Sequence, residues 1–532
     1  MKIWSVSRLS AAPLAVALAL VAAAIAAPAH ASTIEAVADC LNAVDLPCAE
    51  SALSKLEASQ PDSHQLRELA SHVAFHRGDY ERAVLEIQRA AALAPQLSEE
   101  YAGVLSHYQA ALEATAGMVE LRRGNVILRH APGMDAILVD EAFATLETAQ
   151  RVLRAQLGAL PPQPVLVEIF PTGKRFVDAS GLGQQAVSTT GVVAISKWAR
   201  LLVTSPRAVA RGYGWKDTLV HEYVHQVVSH LSHDRTPVWL QEGIARYLEA
   251  CWRDQLNSPL EPFSQAALAN ALAEDDLVTF EEMHPSFAFL PSAERGAVAY
   301  AQVQILVATA VDHGGEGTIG RALEVILTGA DADEALAQAA GYAQFDTLMD
   351  DAIQAMSSLD LVERKLAALP VALDGEGGAF AGDPLLADRV DLADHARLGD
   401  LLRQSERPQA ALAEYGKAMP PDEPPSPLLA NRSADCHLML GDDARALAIL
   451  RESTGDYPSF AMTWKGLGRL EQQGGATEAA LDAYLSSADV YPFDSDVQAA
   501  LATLYGELGD TDAAERHARF ERVLLHGGAE LE

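Results

Sequence analysis

Trp215-Lys216-Asp217-Thr218-Leu219-Val220-His221-Glu222-Tyr223-Val224-His225 is the stretch on which the reading of this 532-residue chain turns. Its apolar residues recur through Val224, Val227, Val228 and Leu231, which predicts a helix buried in a core. On a helix, residues four apart share a face, so the imidazoles of His221 and His225 point the same way. Two such rings can hold one Zn²⁺ at about 2.0–2.1 Å. Glu222, next to the first ring, can take a proton from water at that metal.

The following segment adds a third ligand. Ser232, His233 and Asp234 make a polar break, and Pro237 permits a new helix. That helix reads Val238-Trp239-Leu240-Gln241-Glu242-Gly243-Ile244-Ala245-Arg246-Tyr247-Leu248-Glu249. Glu242 comes 17 positions after His225, enough chain to end one helix, turn, and return a carboxylate to the metal. Two His and one Glu leave a fourth position for water, the arrangement of a catalytic rather than a structural site.

His-Glu-x-x-His followed by Trp-Leu-x-Glu-Gly-x-Ala-x-Tyr resembles the gluzincin metallopeptidases, in particular the peptidase MA-like group. The resemblance implies zinc held by His221, His225 and Glu242, with Glu222 as general base. It also implies an edge strand before the zinc helix, along which substrate lies extended. Ser188 to Ser196 has strand composition and stands in the right order. Aminopeptidases of this kind carry a glutamate on that strand that holds the substrate's free amine. Here Gly191-Val192-Val193-Ala194-Ile195 has none, so aminopeptidase specificity does not carry over. Related enzymes often place a tyrosine on a later helix to stabilise the oxyanion. Tyr300 has that placement, and a half-buried core tyrosine is the alternative for it. Tyr247, on the ligand helix itself, is read as structural.

A spacing of 34 dominates the C-terminal quarter. Gly441, Gly475 and Gly509 are 34 apart, each is followed five residues on by Ala446, Ala480 or Ala514, and Pro458 and Pro492 follow the first two. This resembles the tetratricopeptide repeat, a helix–turn–helix unit with Gly at the turn and Ala where helices touch. Leu398 to Met419, with Ala411, Tyr415 and Ala418, begins the array as a less regular copy, and Arg519 to Leu525 ends the last helix. Gly78, Ala83, Ala90 and Pro95 repeat the pattern near the N-terminus, after a degenerate copy around Ala49 and Pro61. Two repeats bury little core on their own; they are expected to extend into a helix over Tyr101 to Arg122 and dock on the central region.

That central region reads as mixed. Asn125 to His130, Pro164 to Phe170 and Arg200 to Thr204 have strand patterns, with a helix from Val139 to Leu157 between the first two. Mostly helix follows from Trp215 to Leu359. The expected architecture is mainly α: an α+β gluzincin-like domain over 119–370, tetratricopeptide helices over 32–118 and 386–532, and a turn-rich linker at 371–385.

The first 31 residues read as a signal peptide. Lys2 and Arg8 precede an apolar run from Leu14 to Ala27, and Ala29-His30-Ala31 fits a cleavage site. The expected location is therefore periplasmic or secreted, or tethered by an uncleaved N-terminal segment. No later stretch reaches 18 consecutive apolar residues. Net charge is −34, which argues against nucleic acid and anionic membranes as partners. Cys40 and Cys48 lie close enough in sequence for a disulfide in an oxidising compartment, whereas Cys251 and Cys436 are expected as buried free thiols.

Other residues have plain readings. His230 and His233 are expected to cap or face solvent. Glu249 is expected on the surface, bracing a ligand histidine being the alternative. Trp239 should pack beneath the metal helices, and Arg246 should neutralise nearby carboxylates. Together these features predict an exported zinc metallopeptidase that hydrolyses a protein or peptide substrate, its repeats recruiting a protein partner or that substrate. The alternative is a non-catalytic repeat scaffold with an inactive peptidase-like domain.

Overall fold

The computed structural model describes residues 34–59, 63–183, 191–362, 365–370, 373, 383–420 and 422–527. The expected signal peptide, Pro61, most of the expected linker, and Ser188 to Thr190 of the expected edge strand lie outside them. Among the described residues the chain is mainly α, with twenty-two α-helices and one five-stranded sheet. None of those helices is long and apolar enough to cross a membrane.

Five helices open the chain: α1 (Ile34–Asn42), α2 (Leu46–Ser59), α3 (His64–Arg77), α4 (Tyr80–Leu93) and α5 (Ser98–Thr115). Cys40 and Cys48 form a disulfide across the α1–α2 turn, with Cα atoms 5.6 Å apart. The α3–α4 hairpin turns at Gly78, whose φ of +79° favours glycine. Asp79 then caps α4 by accepting from the Arg82 amide. The helix expected over Tyr101 to Arg122 is shorter than that. Gly117 takes a left-handed conformation just after α5, and the polar–apolar alternation of Val119-Glu120-Leu121 goes into a strand instead.

The sheet comprises β1 (Val119–Arg123), β2 (Val126–His130), β3 (Val165–Phe170), β4 (Ala194–Lys197) and β5 (Arg200–Thr204) in the order β1-β2-β3-β5-β4. β3 lies parallel to both β2 and β5, while β1 and β4 pair antiparallel at the two edges. β3 is buried at all six positions, as expected of a strand covered on both faces. α6 (Val139–Leu157) packs on one side of it. On the other, the N-terminal helices meet Glu168, which accepts from Tyr80 Oη at 2.6 and 2.7 Å and pairs with Arg129 and Arg200 at 3.1 Å each. The expected docking of the N-terminal hairpin thus runs through a fully buried ion pair.

β4 and β5 are joined by Trp198 and Ala199, both at positive φ, in a tight two-residue hairpin. Trp198 packs against Phe75 and His107 of the N-terminal helices, each with ring centroids 5.0 Å away. This contact fixes edge strand β4, which begins at Ala194, three residues after Gly191 turns the chain at a φ of +65°.

After α7 (Gly173–Ser180), the site helices are α8 (Trp215–Ser232) and α9 (Val238–Leu248), backed by α10 (Pro262–Glu274), α11 (Ala293–Gly314), α12 (Thr318–Leu327), α13 (Ala332–Ala340) and α14 (Phe345–Ser357). Four helical hairpins follow: α15 (Val390–Gln404) with α16 (Pro408–Ala418), α17 (Pro427–Met439) with α18 (Asp443–Asp456), α19 (Ala461–Gln473) with α20 (Thr477–Val490), and α21 (Ser495–Leu508) with α22 (Thr511–His526). The repeat glycines Gly441, Gly475 and Gly509 stand at these turns with φ of +77°, +77° and +84°. Ala411, Ala446 and Ala480 are fully buried between helices. In the last hairpin Ala513, not Ala514, takes that place. There α22 packs on the central core through Phe520 and Val523.

Candidate metal centre

α8 runs through the centre of the core, and thirteen of its eighteen residues are buried. It ends at His233, whose φ of +51° closes the helix, so this histidine is a cap as expected. His230 reaches toward the carbonyl of Val44 at 3.3 Å. Pro237 then starts α9. This helix lies so close to α11 that a Cβ on Gly243 would sit 2.7 Å from the Val303 carbonyl oxygen. Glycine in the Trp-Leu-x-Glu-Gly stretch is therefore a packing requirement. Trp239 packs against Phe280 and Phe345, with ring centroids 4.6 and 6.0 Å away.

The two helices bring His221, His225 and Glu242 together. One ligand atom from each lies within 4.8 Å of the others, and all three residues are buried. Glu242 Oε2 is 3.3 Å from His221 Nε2 and 3.6 Å from His225 Nε2. Neither ring nitrogen of His225 has a hydrogen-bond partner among the described residues. A buried imidazole nitrogen facing a carboxylate without a bond to it costs free energy, and a divalent cation between them removes that cost. The residues present therefore fit a metal ion.

Glu249 is the residue the sequence misplaced. It is buried, not on the surface: its Oε2 lies 2.9 Å from His221 Nδ1, and its Oε1 accepts from Arg246 at 2.9 Å. This fixes the tautomer of His221 and turns Nε2 toward the cluster. Glu249 follows Glu242 by seven residues, two helical turns, so both carboxylates face α8. That spacing was the available signal. Arg246 neutralises Glu249, as expected of it, and its guanidinium also lies over the Tyr300 ring at 5.0 Å.

Glu222 is fully buried, with Oε2 accepting from the Ser196 amide of β4 at 2.6 Å. Its Oε1 has no partner among the described residues. Burial, helped by the nearby Glu242 carboxylate, pushes its pKa up to about 8 against the pull of His221 and the Ser196 amide. Burial acts on Glu242 in the same direction, but His225 and His221 outweigh it and hold that carboxyl at about 2. For His221, burial favours the neutral ring, yet Glu242 and Glu249 raise it to about 9. His225 is lowered, chiefly by burial.

Tyr300, on α11, is buried beside the cluster and packs on Phe287 with ring centroids 4.8 Å apart. Burial first, then the Glu242 carboxylate, raises its pKa well above the ordinary phenol value. The hydroxyl stays protonated. Tyr247 is buried in the core, and Cys251 and Cys436 are buried free thiols as expected.

Residues 145–356 match the sequence model of the Peptidase MA superfamily. The matched segment includes both site helices and Tyr300. No curated protein matches the chain. Among solved structures, a crystal structure of MamA is similar at 14% identity, covering 27% of this chain and 82% of that one, with a TM-score of 0.23. The MamA RS-1 ArsTM double mutant is similar at 18% identity over 27% and 79% of the two chains, TM-score 0.24. The APC/C hetero-tetramer Cut9-Hcn1 is similar at 14% identity over 92% of each chain, TM-score 0.24.

Proposed function

We propose that this chain is an exported zinc metallopeptidase in which His221, His225 and Glu242 hold the metal and Glu222 is the general base. The observation that carries this reading is the convergence of three buried ligand atoms within 4.8 Å. Two imidazoles and one carboxylate suit zinc, and three protein ligands leave room for water and substrate. When bound, zinc polarises the scissile carbonyl and lowers the pKa of water.

The chain's own groups account for the remaining steps. Glu222 takes the proton of the attacking water through the carboxylate oxygen that has no partner, while the Ser196 amide holds the other. The new C–O bond forms at the carbonyl carbon. The same carboxyl then gives its proton to the leaving nitrogen as the C–N bond breaks. Tyr300, kept protonated, donates to the oxygen on which negative charge grows. Edge strand β4 is where an extended substrate would lie, since its Ser196 amide already reaches the base.

Export is supported by the sequence of residues 1–31 and by the disulfide between Cys40 and Cys48. The boundaries of the peptidase domain are placed at 119 and 370, and the helical hairpins on either side recruit or orient the protein substrate or partner. The test is Glu222→Gln: the variant is expected to keep one zinc per chain and to lose hydrolysis of unfolded protein substrates. Cleavage at the native rate would remove Glu222 from the mechanism, and a wild-type protein that holds zinc without cleaving would favour the scaffold.

A further inference from the structure

β4 ends the sheet, and its strand partner is β5 on one side only. The Ser196 amide is spent on Glu222 rather than on β5, so the outer side of β4 faces the metal helix α8. Lys197 is the next residue. Successive side chains of a strand stand on opposite faces, so Lys197 shares a face with its cross-strand partner Arg200 and not with Ser196. The N-terminal helices cover that face: the Arg200 guanidinium lies 4.4 Å from the Phe75 ring centre and 5.1 Å from that of Tyr80.

Positive charge exceeds negative charge there. Glu168 gives one oxygen to Arg129 and the other to Arg200, at 3.1 Å each, and Arg129 also takes Glu120 at 2.8 Å. Arg200 Nε and Nη2 still have no hydrogen-bond partner among the described residues. Lys197 makes no ion pair or hydrogen bond with any described residue. Its ammonium lies instead 4.0 Å from the ring centre of Trp198, a contact weaker than an ion pair. Phe75 and His107 hold that indole from the other side. Burial, then Arg200, lowers the pKa of Lys197 to about 8, as expected of a cation short of a counter-charge. Lys197 is half-buried, not sealed in the core.

We propose that Lys197 is a specificity-determining residue that binds a glutamate or aspartate side chain of an extended substrate laid along β4. The inference rests on the peptidase reading and gives it a substrate class. A peptide paired with an edge strand alternates its side chains between the two faces of the sheet. Those on the Lys197 face come within a cross-strand spacing of about 4.5–5.5 Å between Cβ atoms. A carboxylate there meets an ammonium already held in position by the indole. A lysine there meets Lys197 and Arg200 and is repelled. The N-terminal helices thereby gain a part in substrate choice, because they fix the ring on which Lys197 lies.

The experiment uses the full-length, zinc-loaded Glu222→Gln protein near neutral pH, so that binding is read without turnover. The probes are fluorescein-labelled alanine-rich octapeptides with glutamate, glutamine or lysine at one of two adjacent central positions, which samples both faces of the strand. Anisotropy titration is expected to show, at the better position, glutamate binding about tenfold tighter than glutamine and lysine weakest. The net charge of −34 opposes that order, so long-range attraction does not produce it. Lys197→Met should bring glutamate and glutamine to within about twofold of each other, Lys197→Arg should keep the preference, and Lys197→Glu should reverse it. Equal affinity for glutamate and glutamine at both positions, a glutamate preference that survives Lys197→Met, or no peptide binding would each overturn the proposal. Failure of the peptidase reading has a different signature: the Lys197-dependent preference persists while zinc-loaded wild-type protein cleaves nothing.

Discussion

Removing the Glu249 carboxylate tests whether the residues behind His221 set the metal affinity. Its two oxygens divide their work at equal distances, 2.9 Å to His221 Nδ1 and 2.9 Å from Arg246. The side chain is only 10% exposed, so solvent screens these contacts little. Glu249→Gln keeps an oxygen that can accept from the His221 N–H but removes the charge that makes the imidazole a stronger ligand. Loss of such a partner weakens metal binding by about 10- to 100-fold, or about 1.4–2.8 kcal/mol. Glu249→Ala does more, because Arg246 is left buried without its carboxylate; that costs about 3–5 kcal/mol of folding stability. Zinc competition against a chromophoric chelator reads the first effect, and urea unfolding reads the second. If Glu249→Gln binds zinc within twofold of wild type, His221 does not depend on Glu249 and the proposed order of the site is wrong.

Three further outcomes are expected. Tyr300→Phe should lower kcat by about 10²–10³-fold with little change in KM, since the hydroxyl is assigned to charge that develops only during reaction; an equal rise in KM would assign it to substrate binding. Gly243→Ala should lose about 1–3 kcal/mol in urea unfolding, because its Cβ would meet the Val303 carbonyl oxygen at 2.7 Å. A neutral result would show that α9 and α11 can separate. His517 is buried against Gln498 and Tyr505, and burial, aided by Arg516 and Lys216, lowers its pKa to about 4. Its unfolded form takes up a proton near pH 6.5, so stability falls as pH drops from 6.5 to 4, by about 3 kcal/mol in all. His517→Gln should flatten that part of the urea-midpoint profile, and an unchanged profile would place the acid sensitivity elsewhere.

The parts of the fold that follow from local periodicity were legible in the sequence. The helix from Val139 to Leu157, the turn glycines of the C-terminal hairpins and the burial of Ala411, Ala446 and Ala480 all follow from spacing alone. Val119 to Arg123 was harder. Five residues after a long helix read as its continuation unless Gly117 is given the weight of a stop, and their strand pairing depends on β2, a partner that periodicity does not specify. The shift from Ala514 to Ala513 was invisible for a similar reason, because α22 packs on the central core.

At the site, the residues that meet through one or two helices were legible, and those that meet through the tertiary fold were not. His221, His225 and Glu242 stand out because helix geometry and chain length bring them together. Glu249 has the right spacing from Glu242, but nothing in the sequence shows which face of α9 is covered. Ser196 reaches Glu222 through a backbone amide, which no side-chain pattern announces. Trp464 and Glu261 lie 203 residues apart and share a cavity only because the array folds back onto the central segment.

The most direct measurement is anomalous diffraction from crystals of the purified protein, recorded on both sides of the zinc edge. The account predicts one zinc peak per chain, about 2.0–2.2 Å from His221 Nε2, from a ring nitrogen of His225 and from a Glu242 oxygen. A peak elsewhere, or none in protein that cleaves peptides, would contradict it.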